Sequence, residues 1–348
     1  MSRPIHHIYR WDLDKTYLRT EFETLRGLIR TALQTPEEKV NVPGVVTLLK
    51  ELTRPDDRGA AYVTFISGSP TQMRNKLERK FQLDGIEPDV FVLKPTLQNL
   101  LKGRFRAIRG QVGYKLDSLL RVREEGPDAP ETLFGDDVEQ DAFIYSLYAD
   151  VVGGRIERPL LVDILQQAGV YSERRASILQ RVERMRVDDN VGRIFIRLDY
   201  RTAPGRFWVY GPRVVPIINY FQAALVLFAD GVLQLPPVLR VASRMILEHD
   251  YGVPRLANSF QDLIRRRHLD RTAIDRLAEA IREFDHARED GIVLPDEFFD
   301  RLLSRVRALA PRHTAPVREW EGPPDYMAVL EADRKLRNNI DRDSGLFG

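Results

Sequence analysis

The sequence predicts an α/β protein: a doubly wound parallel sheet in the first half, then a mainly helical region carrying a β-hairpin. Three observations predict it. Short, continuous apolar runs alternate with helix-like segments up to about residue 156, the pattern of strands covered on both faces. Chemistry-bearing polar residues fall at or near the ends of those runs, where open α/β sheets gather their functional groups. Beyond residue 157 the strand-like runs give way to amphipathic helical stretches.

Taken in order, residues 5–11, 60–66, 89–93, 131–134 and 150–156 read as strands. Residues 45–52, 70–81, 115–124 and 140–148 read as the helices between them, an alternation that implies parallel strands. Helical segments follow at 160–168, 174–186, 214–228, 238–248, 260–268, 272–286 and 296–308. Between the second and third of these, the runs 192–199 and 207–210 flank Pro204-Gly205, which suggests the hairpin. A docking helix is expected at 325–336. The division that results is 1–156, 157–312 and a C-terminal extension, 313–348.

A chain of 348 residues with 30% charged and 43% hydrophobic residues is an ordinary globular composition. The net charge of +2 supplies no electrostatic argument for nucleic acid, and none is expected as a partner. With no cysteine, disulfides, thiol catalysis and zinc–thiolate sites are excluded, and a cytoplasmic protein is expected. The first residues contain no apolar run of signal-peptide length. Residues 214–228 form an apolar stretch of about fifteen, short of the about twenty a spanning helix needs, so a buried helix is expected there. A peripheral contact with a membrane surface stays open. The histidines show no metal-ligand spacing, and Arg265-Arg266-Arg267 reads as a solvated helix face.

Four segments carry the chemistry. Asp12 and Asp14 follow the first strand, spaced so that both carboxylates project from one edge of the sheet. One can attack phosphorus while the other protonates the leaving oxygen. Thr16 is placed to hold Asp14. Ser67 ends the second strand before Gly68-Ser69-Pro70, where a hydroxyl and backbone N–H groups could take phosphate oxygens. Lys115, read at a helix start, needs an anion to offset the dipole. Asp136 and Asp141 follow Gly135; brought near Asp12 and Asp14, they would repel unless a cation such as Mg²⁺ joined them. Asp137 and Lys94 are further neighbours of the site.

The four segments in this order resemble the haloacid dehalogenase (HAD) superfamily, with Asp12-x-Asp14-x-Thr16 and Gly135-Asp136-x-x-x-x-Asp141 matching its first and fourth motifs. Gly68-Ser69-Pro70 after Ser67, Val42-Pro43-Gly44 and residues 135–144 are similar to the actin-patch phosphatidate phosphatase group, related to the lipin catalytic domain. The resemblance covers roughly residues 5–156. It implies a HAD-like sheet without a large cap and a Mg²⁺-dependent phosphomonoesterase acting through an aspartyl-phosphate. In it Asp12 and Asp14 would be catalytic, Ser67, Gly68 and Lys115 phosphate-binding, Thr16 orienting, and Asp12, Asp14, Asp136 and Asp141 the metal ligands. Phosphatidate or another large phosphorylated substrate would suit an uncapped site. The alternative is a HAD-like scaffolding module whose helical half contacts a protein or membrane.

Overall fold

The computed structural model describes residues 3–20, 34–95, 104–199, 202–284, 291–309 and 322–344, without the side chains of 104–109, 305–309 and 336–344. Its strands are β1 (Ile5–Trp11), β2 (Ala60–Pro70), β3 (Val90–Lys94), β4 (Glu131–Asp136), β5 (Val191–Arg197) and β6 (Val214–Ile217). They form one sheet in the order β3-β2-β1-β4-β5-β6, and every pairing is parallel. The chain builds outward from β1 to β3, then returns to lay down β4 and continues to the opposite edge. The strand order therefore reverses beside β1, and the crevice at its carboxyl end is where such a sheet places a site.

Helices cover both faces, as a parallel sheet requires. Alternate residues along each strand face opposite ways. Trp11, Phe65, Phe134, Phe195 and Val215 enter one core with α1 (Val45–Thr53), α2 (Arg74–Asp84), α7 (Tyr220–Ala229), α8 (Leu235–His249), α9 (Val253–Arg265), α10 (Arg271–Glu283) and α11 (Phe298–Leu309). Ile66, Leu133, Ile194, Ile196 and Val214 enter the other with α3 (Arg104–Glu125), α4 (Asp141–Val152), α5 (Arg158–Gln167), α6 (Ser172–Arg184) and α12 (Tyr326–Ser344). The docking helix expected near the C-terminus is α12, whose Tyr326 hydroxyl donates to Asp150 Oδ2 at 2.5 Å.

Three expectations are corrected. Residues 150–156 are not a strand: they complete α4 and the turn after it, and the fifth strand is Val191–Arg197. Among the described residues of 192–210 there is no hairpin. Residues Pro204–Tyr210 form a 3₁₀ turn, and β5 pairs in parallel with β4 and β6. Residues 214–228 divide into β6 and α7, both buried. The sheet thus crosses the division drawn at 156, and residues 157–309 supply two strands and helices to both faces. No described helix is long and apolar enough to cross a membrane. Residues 285–286 of the helix expected at 272–286, and residues 313–321 and 345–348 of the extension, lie outside the described residues, as do His286 and His313.

Candidate active site

Trp11 is in register with Phe65 on one side and Phe134 on the other, and its ring stacks on Phe134 at 3.8 Å. This packed platform fixes where β1 ends, so Asp12 emerges between the ends of β2 and β4. The Asp12 N–H donates to the Phe134 carbonyl at 2.8 Å. From β4 come Asp136 and, one turn later, Asp141 at the start of α4. Gly135 makes their approach feasible: a Cβ there would stand 2.5 Å from Asp141 Oδ2 and 2.8 Å from Tyr145.

Lys115 reaches the same point from α3. Its Nζ lies 2.7 Å from Asp12 Oδ1, 2.5 Å from Asp141 Oδ1 and 2.7 Å from Glu139 Oε2, the last an ion pair without hydrogen-bond alignment. The ammonium is fully buried, as are Asp12, Asp136 and Asp141. Asp12, Glu139 and Asp141 offer carboxylate oxygens that all lie within 4.8 Å of one another, a group that could hold a metal ion. Asp12 Oδ2 is buried with no hydrogen-bond partner.

The electrostatics follow from this crowding. Burial, then the neighbouring carboxylates against the pull of Lys115, raises Asp12 well above the usual carboxylate range. Asp136 is raised for the same reasons, and Asp141 is pushed up to about 6, burial again leading. Glu139 goes the other way: burial opposes ionisation, but Lys115 outweighs it and keeps the carboxylate charged. Burial would strip Lys115 of its proton, yet Asp12, Asp141 and Glu139 together hold the ammonium firmly.

Asp14 occupies a separate niche. Its Oδ2 accepts from Ser69 Oγ at 2.7 Å and Ser67 Oγ at 3.2 Å. Burial raises its pKa while the two hydroxyls pull it down. Ser67 Oγ in turn accepts from the Ser69 N–H at 2.9 Å, and Tyr114 donates to the Ser67 carbonyl at 3.0 Å. Gly68 lies between the two serines, where a Cβ would meet Gln111 Nε2 at 3.5 Å and Glu139 Oε1 at 3.9 Å, ordinary van der Waals contacts.

Asp12, Asp14, Thr16, Ser67, Gly68, Lys115, Asp136 and Asp141 are therefore gathered at one sheet edge, with four details changed. Thr16 does not hold Asp14; its hydroxyl lies 3.5 Å from Asp136 Oδ2, and the two serines hold Asp14 instead. Asp14 is turned to those hydroxyls, and Asp136 Oδ1 accepts the N–H groups of Val138 and Glu139, so neither joins the convergent group of three. Lys115 sits mid-way along α3 rather than at a helix start, so no dipole penalty applies to it. Asp137 faces away and accepts the N–H groups of Asp199 at 2.7 Å and Thr202 at 3.2 Å. Lys94 Nζ lies 5.7 Å from the centre of the Tyr114 ring, and burial lowers its pKa against the pull of Glu139. Sequence reasoning missed Glu139 and Ser69 as participants; an acid just before a helix reads equally well as a helix-dipole partner.

With that geometry in place, one comparison with known families bears on the first half of the chain. Residues 11–161 match the family of the phosphatidate phosphatase APP1 catalytic domain. The APP1 match is the phosphatidate-phosphatase resemblance expected from the motifs. It opens one residue before Asp12 and closes at Leu161 in α5, enclosing every site residue above and stopping short of β5 and β6. Neither a curated protein nor a solved structure matches the chain.

Proposed function

We propose that this protein is a Mg²⁺-dependent phosphomonoester hydrolase acting through an aspartyl-phosphate on Asp12, with phosphatidate or another large phosphomonoester as substrate. The observation that carries the proposal is Asp12 itself: a buried carboxylate at the β1 end with one oxygen on Lys115 and the other unpartnered. The APP1 match supports phosphatidate in particular. A lipid substrate would bring a cytoplasmic chain to a membrane surface as a peripheral visitor.

The unpartnered Asp12 Oδ2 attacks phosphorus in line, and the bond from phosphorus to the leaving alkoxide breaks. Asp14, its pKa raised by burial, gives that alkoxide its proton. Asp14, now a carboxylate, takes a proton from water as the water oxygen attacks the aspartyl-phosphate, releasing phosphate and restoring Asp12. Ser67 and the Gly68 backbone line the phosphoryl position, and Lys115 balances its charge. Thr16, through Asp136, holds the first loop against the second. The donor set fits a hard cation: Asp12, Glu139 and Asp141 converge, with Asp136 beside them, and all offer oxygen. When bound, Mg²⁺ would supply neutralisation of the phosphoryl charge.

The test is a hydrolysis screen with Mg²⁺, offering phosphatidate in micelles beside soluble phosphomonoesters. Asp12→Asn keeps the shape and removes the attacking charge, so the rate should fall by more than about a hundredfold. A variant that keeps more than about a hundredth of the wild-type rate would contradict covalent catalysis at Asp12.

A further inference from the structure

The loop from Asp12 to Thr16 is tied down by residues from the part of the chain beyond the APP1 match. Lys15, buried at 3% exposure, has φ of +59°, a left-handed conformation that a residue with a Cβ rarely holds without restraint. The restraint is visible. The Arg197 guanidinium donates to the Lys15 carbonyl, and its other arm pairs with Asp199 Oδ1 at 2.8 Å. Asp199 Oδ2 lies 3.4 Å from Lys15 Nζ, closing a ring around that residue. One position on, the Tyr220 hydroxyl donates to the Thr16 carbonyl at 2.7 Å, with the Tyr220 side chain fully buried.

The same residues are tied to the acidic loop after β4. Arg197 is in register with Asp136 across the β4–β5 pair, and Asp137 accepts the Asp199 N–H. A single cluster thus fixes the loop bearing Asp12 and Asp14 relative to the loop bearing Asp136, Glu139 and Asp141. Arg197 and Asp199 come from the end of β5, Tyr220 from the start of α7.

We infer that Arg197, Asp199 and Tyr220 are positioning residues that set the Asp12–Asp14 loop for phosphoryl transfer. The inference rests on the phosphatase reading. None of the three touches the reacting atoms; each acts through the Lys15 or Thr16 backbone or the Lys15 side chain. Their loss should therefore misplace the nucleophile and the acid without removing a substrate contact, which lowers kcat more than it raises KM.

The experiment compares the full-length wild type with Tyr220→Phe and Arg197→Gln in steady-state hydrolysis with Mg²⁺. Amide hydrogen exchange of residues 12–18 is measured on the same samples. Tyr220→Phe removes one hydroxyl at constant shape, so it remains folded even if Arg197→Gln does not. The expected result is a fall in kcat of about tenfold or more, KM within about threefold, and faster exchange confined to the loop. Unchanged exchange in Tyr220→Phe overturns the inference whatever the activity, and so does faster exchange with unchanged kcat. Faster loop exchange in a protein whose wild-type rate does not exceed that of Asp12→Asn supports the clamp and removes the phosphatase reading instead.

Discussion

Lys115 is one cation among three buried or half-buried carboxylates, and its value depends on that imbalance. Breaking a buried ion pair by deleting one partner leaves uncompensated charge and costs about 3–5 kcal/mol. Lys115→Met should therefore lower the melting temperature in metal-free buffer. A divalent cation should recover part of the loss, because it restores positive charge where Asp12, Glu139 and Asp141 converge. Titrating Mg²⁺ while following thermal unfolding of wild type and variant checks both halves. If metal shifts neither protein, the convergent acids do not bind it. Arg10 and Glu131 show the contrasting case: a buried pair at 2.5 Å, reinforced by Arg123 and the Tyr148 hydroxyl, away from any strand end that carries chemistry. There Glu131 is faced by two guanidinium groups and a hydroxyl, so its charge is answered without a metal.

At the scale of elements, the sharpest test is the corner where β4 gives way to α4. Gly135→Ala would drive a methyl into Asp141 and Tyr145, an overpacking worth about 1–3 kcal/mol. Because Asp141 must shift off Lys115, kcat should drop by up to about a hundredfold, more than the stability change alone explains. Thermal unfolding beside steady-state kinetics separates the two effects; a variant with normal kcat would mean that Asp141 tolerates displacement. This corner also shows what the sequence reveals. β1 to β4 were legible because buried parallel strands leave unbroken apolar runs, and the site because its residues follow those runs. The same burial hid the end of α4, expected at 148: all of Asp141–Val152 is buried, so no polar face marks a helical period, and Val151-Val152 passes for a strand. The start of α3 is misplaced as well: the helix expected from 115 begins at Arg104, so Lys115 lies mid-way along it. Nearness in sequence suggests Asp14 as the partner of Thr16, whereas its partner Asp136 is far along the chain. β5 joins the sheet by pairing with β4, and β6 by pairing with β5, which no local pattern records.

The whole molecule differs most from a phosphatase domain followed by an appendage. The APP1 match ends at Leu161, yet the sheet beneath the site is completed by β5 and β6. Cutting the chain near Glu157 would turn β4 from an interior strand into an edge. It would uncover Phe134 and Leu133, which face opposite cores, and remove the helices that close both faces from that side. An exposed apolar edge strand is an aggregation template. It would also take away Arg197 and Tyr220, which hold the Lys15 and Thr16 carbonyls. We therefore expect a fragment of residues 1–157 to be insoluble, or soluble but without cooperative unfolding, although every residue assigned to the chemistry precedes the cut. Soluble yield, circular dichroism and hydrolysis of a small generic phosphomonoester decide the matter. A fragment that unfolds cooperatively and retains wild-type kcat would show that the matched segment is self-sufficient. The second half would then be an attachment to the catalytic sheet rather than a part of it.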